Sequence, residues 1–150
     1  MSNGARVPVA ATHAVRDTCI CLHVQRAARA LARRFDEALR PLGLTNGQFS
    51  LLAALNRAEP ARLGQVAELL AMDRTTLTAA LKPLERRGLV AVTVDESDRR
   101  GRRLALAPAG HDLLRAALSV WKREHARIER AARARDSGLG RLRAGLRMFG

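Results

Sequence analysis

Thr75, Ala79, Lys82 and Arg86 recur at spacings of 4, 3 and 4, while Leu77, Leu81 and Leu84 recur between them. On a helix of 3.6 residues per turn these are two stripes on opposed faces, one apolar and one short-chained and basic. Thr76 and Ala80 flank the second stripe. Short side chains let a helix lie close to base edges. A Thr or Ala methyl can meet a thymine methyl, and a Thr hydroxyl can reach a base or a phosphate. Lys82 and Arg86 suit phosphate or guanine. The same pattern also fits the solvated face of any small helical domain. The next polar segment of the chain weighs against that plainer account. Asp95-Glu96-Ser97-Asp98-Arg99-Arg100-Gly101-Arg102-Arg103 places four Arg in five positions. A hairpin tip bearing Arg can enter a minor groove, where narrow A·T tracts concentrate negative potential. Asp98, two residues before Arg100, is placed to hold its guanidinium and lower the entropy lost on binding.

Periodicity supplies the framework that carries these residues. Residues 1–14 lack a pattern and read as a loose arm. From Val15 to Leu39 an apolar stripe of Ile20, Val24, Ala27, Leu31, Phe35 and Leu39 predicts one helix, stopped by Pro41 and Gly43. Thr45-Asn46-Gly47-Gln48 has the form of a capping box and opens a second helix. A third, short helix starts near Arg62, and Ala71-Met72-Asp73 turns the chain into a fourth, with Asp73 as N-cap and Gly88 just past its end. Residues 62–87 are therefore helix, turn, helix, with the second helix as reader. Pro83 lies inside that helix, where it removes one backbone bond and costs about 3 kcal/mol in an ordinary interior. A kink is expected there, or an end at Lys82 that would take Arg86 off the reading face. The period then changes to 2. Leu89 to Val94 and Arg103 to Ala107 are strands flanking the polar loop, a hairpin. Pro108 opens a long helix carrying Leu114, Leu118, Trp121, His125 and Ile128, broken at Ser137-Gly138. A last helix carries Leu139, Leu142, Leu146 and Phe149. The fold class is mainly α with a small β-hairpin, a winged helix-turn-helix. Its expected parts are an arm at 1–14, a DNA-binding domain at 45–107, and dimerisation helices at 15–44 and 108–150.

Composition agrees with a polyanion partner. The 150 residues carry a formal charge of +13. Residues 1–98 hold +3 of it and residues 99–150 hold +10. Of 27 basic residues 25 are Arg, which a genome-wide codon bias would also produce. A hydrophobic content of 47% excludes a wholly disordered basic tail. Three Phe, one Trp and no Tyr leave no aromatic platform for single strands. No apolar run approaches the roughly 18 residues of a membrane helix, and no signal peptide is visible, so the chain reads as cytoplasmic. A winged helix needs only about 70–90 residues. The apolar stripes outside it call for a second copy, whose two-fold symmetry would match a palindromic site.

Cys19 and Cys21, two apart on the expected helix, point in different directions and cannot share a metal. Cys19 reads as packing, since free Cys is commonly buried. His13, His23, His111 and His125 have no metal spacing. Gly138-Leu139-Gly140 with Gly145 follows no strand and makes a poor nucleotide loop. No nucleophile, base and acid come together, so an enzyme is not expected, and neither is a cofactor or a metal.

Leu84-Glu85-Arg86-Arg87-Gly88-Leu89-Val90, Asp98-Arg99-Arg100 and Leu104-Ala105-Leu106-Ala107-Pro108-Ala109-Gly110 together resemble the MarR family of winged-helix regulators, over about residues 15–150. Ala107-Pro108 stand where the family usually has Leu-Thr. The resemblance implies a homodimer with interlocked terminal helices on a pseudo-palindromic operator, and repression relieved by a small ligand or oxidant. It implies reader positions Thr75, Thr76, Thr78, Ala79 and Lys82, and a minor-groove Arg100 oriented by Asp98. Thr78 lies one step off the outward stripe. Arg86, Arg99 and Arg102 complete the candidate contacts. Cys21 falls where hydroperoxide-sensing members keep a reactive Cys, which makes it a candidate redox sensor. Those members hold the thiolate with Tyr hydroxyls, and Phe35 and Asn46 stand there here. Besides a specific regulator of double-stranded DNA with a small-molecule effector, the alternatives are a peroxide-responsive regulator acting through Cys21 and a nonspecific architectural DNA binder.

Overall fold

The computed structural model describes residues 6–135 and 137–149. Of these, the residues up to Arg34 form one unit and those from Phe35 onward a second. In the first unit, α1 (Val9–Thr18) precedes the start of α2 (Ile20–Leu39). The loose arm is thereby corrected. Residues 1–5 lie outside the described residues, and from Val9 the chain is helical. The single helix from Val15 is corrected too. Cys19 has extended backbone (ψ 107°) and separates the two helices, although its N–H still bonds Val15 O at 3.0 Å. Its alanines favour a helix without an apolar period, and none of α1 is buried.

The second unit begins with the last turns of α2, where Phe35 and Leu39 are buried. A short 3-10 turn (Arg40–Leu42) ends at Gly43, whose left-handed φ of 64° reverses the chain. The Thr45 capping box forms as expected. Thr45 Oγ1 accepts from Gln48 N at 3.2 Å, and Gln48 Oε1 accepts from Thr45 N at 3.1 Å, opening α3 (Asn46–Ala54). β1 (Ala61–Arg62) leads directly into α4 (Leu63–Leu69). A tight turn then places Asp73 as the N-cap of α5 (Arg74–Arg86). β2 (Val90–Val94) and β3 (Arg102–Leu106) follow, then α6 (Pro108–Arg133) and α7 (Leu139–Leu146).

The hairpin is joined by a third strand. The sheet is antiparallel in the order β1-β3-β2, with Ala61 and Val92 both opposite Leu104. Two residues are too short to show an alternation, so β1 leaves no periodic trace. Leu39, Leu52, Val66, Leu77, Leu84 and Leu104 are the largest fully buried side chains. Each removes from water apolar surface worth about 1.5–3 kcal/mol. They come from α2, α3, α4, α5 and β3, so the core lies beneath the helix-turn-helix and fastens it to the sheet. α6 packs its buried Leu114 and Ala117 on this body and contacts α3 and β3.

Candidate nucleic-acid interface

α5 buries Leu77, Leu81 and Leu84 and leaves Thr75, Thr76, Thr78, Ala79, Lys82 and Arg86 exposed. The three threonines differ chemically. Asp73 Oδ1 accepts from Thr76 N at 2.8 Å, and Asp73 Oδ2 accepts from the Thr76 hydroxyl at 2.5 Å. These bonds satisfy the first turn of α5 and hold the Asp73 carboxyl below its ordinary pKa. Thr78 donates its hydroxyl to Arg74 O at 2.7 Å. Among the described residues, only the Thr75 hydroxyl of the three has no partner within the chain. The helix runs through Pro83 to Arg86, so Arg86 stays on it, and the alternative end at Lys82 is not adopted. Pro83 lies in the last turns, where the lost bond is one of few remaining. Arg87 N still reaches Pro83 O at 3.2 Å. Arg87 also donates to Gly43 O at 2.9 Å, tying the end of α5 to the loop before α3.

The wing is built from its base. Asp95 is 3% exposed, and its Oδ1 accepts from Ser97 N at 3.0 Å and Ser97 Oγ at 2.8 Å. Its Oδ2 meets Arg103 Nε at 2.9 Å and Arg62 Nε at 3.2 Å. The Ser97 donors, and then Arg103, hold the Asp95 carboxyl at about 2 against an ordinary 3.8. Arg103 also donates to Pro60 O at 3.2 Å. Both cations thus bind the hairpin to the segment that leads into α4. The loop is closed by Gly101 N to Asp98 O at 2.7 Å and Asp95 N to Gly101 O at 3.1 Å. A Cβ on Gly101 would stand 3.1 Å from Asp98 O and 3.2 Å from Asp95 Cβ, so a side chain there would crowd the turn.

Asp98 does not hold the Arg100 guanidinium. Its Oδ1 accepts from the Arg100 backbone N–H at 3.0 Å. A short carboxylate two residues upstream reaches the amide of an Asx turn more readily than the tip of a long side chain. Asp98 therefore orders the loop's backbone, and Arg100, like Arg99 and Arg102, is exposed. Arg102 folds back, donating to Gly101 O at 3.0 Å and Arg99 O at 3.4 Å.

Between α4, the start of α5 and the wing lies an open cleft of about 410 Å³, bordered by Arg62, Arg74, Arg100 and Arg102. Sequence reasoning misses Arg62 and Arg74 as parts of this region, and it places Asp95 and Arg103 in the hairpin segment without giving them a contact. Asp95 and Arg103 sit at the two ends of the loop and can be suspected as a pair; Arg62 and Arg74 carry no local signal.

Cys21 is exposed, with Gln25 Nε2 donating to its Sγ at 3.2 Å, and Cys19 is half-buried at the helix break rather than on a shared helix. His125 is half-buried and stacked on Trp121, ring centroids 4.7 Å apart. Among the described residues no group of three His, Cys, Asp or Glu could hold a metal, and no helix is long and apolar enough to cross a membrane.

A helix-turn-helix braced against a three-stranded sheet, with an arginine-bearing hairpin beside the second helix, defines a winged helix-turn-helix. The chain belongs to the MarR family of transcriptional regulators, whose family model matches residues 42–101. It is 34% identical to the transcriptional regulator MosR of M. tuberculosis, solved in complex with DNA. That likeness has a TM-score of 0.75 and covers 85% of this chain and 90% of MosR. The transcriptional activatory protein BadR of Rhodopseudomonas palustris is 36% identical over 86 residues, 55% of this chain and 49% of BadR. The HTH-type transcriptional regulator SarZ of Staphylococcus epidermidis is 27% identical over 94 residues, 63% of this chain and 64% of SarZ. The match thus spans about half of BadR and under two thirds of SarZ. The family and these relatives are regulators of transcription, in accord with the expectation that the chain is not an enzyme.

Proposed function

We propose that this chain binds double-stranded DNA sequence-specifically, as a homodimer on a pseudo-palindromic operator in the cytoplasm. One observation carries the reading: Thr75, Ala79 and Lys82 stand exposed on one face of α5 in the same unit that exposes Arg100 on the wing. That pairs a reader for the major groove with a cation for the adjoining minor groove. Residues 45–107 form the DNA-binding domain, with Thr76, Thr78, Arg86, Asp98, Arg99 and Arg102 as further contact or orienting positions. MosR, whose structure contains DNA, supports the choice of partner.

The dimer rests on exposed apolar side chains. Val15, Ile20, Val24 and Leu31 are exposed in the first unit, and Leu142, Leu146 and Phe149 at the end of the second. A second copy is the occupant that two-fold operator symmetry requires, with residues 15–44 and 108–150 as its helices. In this reading the bound dimer represses by covering its operator and is released when a small molecule favours a form that spaces the two readers differently.

Selection of bound duplexes from a random pool tests the reading. A motif of two inverted half-sites about one helical turn apart is expected. Recovery of duplexes with no common sequence would replace it with nonspecific packaging of DNA. A reporter driven from the selected site, with and without the chain, gives the sign of regulation.

A further inference from the structure

The two grooves read by a winged helix are separated by one sugar-phosphate strand. A protein with an arm in each must straddle that strand, and whatever lies between the arms meets phosphate. In this chain the space between the arms is the cleft of about 410 Å³ between α4, the first turn of α5 and the wing. Two of its four arginines are already engaged within the chain. Arg62 is paired with Asp95 and donates to Ser97 Oγ at 3.3 Å, and Arg102 is folded onto two loop carbonyls. Arg100 belongs to the wing tip and its groove. Arg74 remains. It is exposed, its guanidinium has no hydrogen bond among the described residues, and it lies across Gly64. A Cβ on Gly64 would stand 3.2 Å from Arg74 Nη2, so the missing side chain makes room for the guanidinium against α4.

We propose that this cleft is a clamp for a single backbone phosphodiester, with Arg74 as its principal cation. The inference rests on the reading that the chain binds duplex DNA, and adds to it a contact that carries no sequence information. A planar guanidinium can give two parallel N–H bonds to one phosphate. Asp95, which is held by Arg62 and Arg103, Asp98, which accepts from the Arg100 backbone N–H, and Glu68 also border the cleft. The Glu68 carboxylate opposes the phosphate and tempers the clamp.

The test uses the selected operator, unmodified and with one phosphate at a time replaced by a neutral methylphosphonate. Wild type, Arg74→Gln and Glu68→Gln are compared by equilibrium binding, with thermal melts to show that each variant is folded. One linkage per half-site, between the reader's major groove and the wing's minor groove, should weaken wild type on the order of tenfold when neutralised. Arg74→Gln should bind the unmodified duplex weaker by a similar factor, uniformly across sequence variants, and be insensitive to that linkage. Its slope of log K against log salt should be shallower by about 0.9. Glu68→Gln should tighten binding to the unmodified duplex and not to the neutralised one. The clamp is overturned if Arg74→Gln matches wild type, or if both lose equally at every linkage, while selective binding of the unmodified operator by wild type leaves the regulator reading intact. Wild type that binds duplexes of every sequence alike would overturn the sequence-specific reading alone, and wild type that binds no duplex would overturn both.

Discussion

Arg62, the residue that enters α4, meets the Asp95 carboxylate of the wing at 3.2 Å, so the reader's supporting helix and the wing share one buried anion. Asp95 is held on its other oxygen by Ser97 and joined by Arg103 at 2.9 Å. The position of Arg100 relative to α5 is set by this knot, because the loop that carries Arg100 hangs from it.

The knot has a pH signature. The Asp95 carboxyl is lowered to about 2 from 3.8. A carboxylate whose pKa is lower in the folded chain stabilises above its unfolded value, and that contribution fades as pH falls through the folded one. Protection of the Ser97 amide against hydrogen exchange should therefore be constant above about pH 4 and decline between about 4 and 2. Asp95→Asn should lose that protection at neutral pH and weaken operator binding, while the helices keep their protection. Unchanged Ser97 protection in Asp95→Asn would refute the role of the knot.

Gly110 tests the seat of α6. A Cβ there would overlap the Leu89 carbonyl oxygen, which also accepts from Ala107 N at 3.0 Å. Backbone cannot retreat as a flexible side chain can. Gly110→Ala should cost about 3 kcal/mol or more, the upper end of overpacking effects. Urea unfolding would read this as a lowered midpoint with an unchanged slope.

Lys82 and Arg100 test the reading arms. Both are exposed, so Lys82→Ala and Arg100→Ala should leave the melting temperature within a degree or two of wild type, surface changes being near neutral. Affinity for the selected operator should fall by about 1–3 kcal/mol for each. Equal affinity of wild type and the double variant would exclude this face from recognition.

The exposed Leu142 and Leu146 test the dimer. Leu142→Glu with Leu146→Glu should shift the mass seen by light scattering from two chains to one. Operator affinity should then become far weaker, since each half-site would bind alone. A wild-type chain that runs as a monomer at micromolar concentration would refute the dimer directly.

The local chemistry of the reader is legible in the residues themselves. Leucine spacing gives α5 its buried stripe, and with it the outward Thr75, Ala79 and Lys82. Asp73, the Thr45 box, Gly88 and Pro108 mark their helix ends, because caps are made by neighbours in the chain. Periodicity is silent where an element is shorter than its own period or lacks an apolar face, so β1 and α1 leave no signal. The role of Asp98 is misplaced by spacing alone, which shows which residues are near and not which atom of a neighbour is reached. The coupling between elements, by contrast, is a product of tertiary packing. Arg62, Asp95 and Arg103 meet because β1 pairs with β3 across a long chain separation, and Arg74 finds room because Gly64 happens to face it. Such contacts join residues whose positions in sequence are independent, so they come into being only when the core has closed.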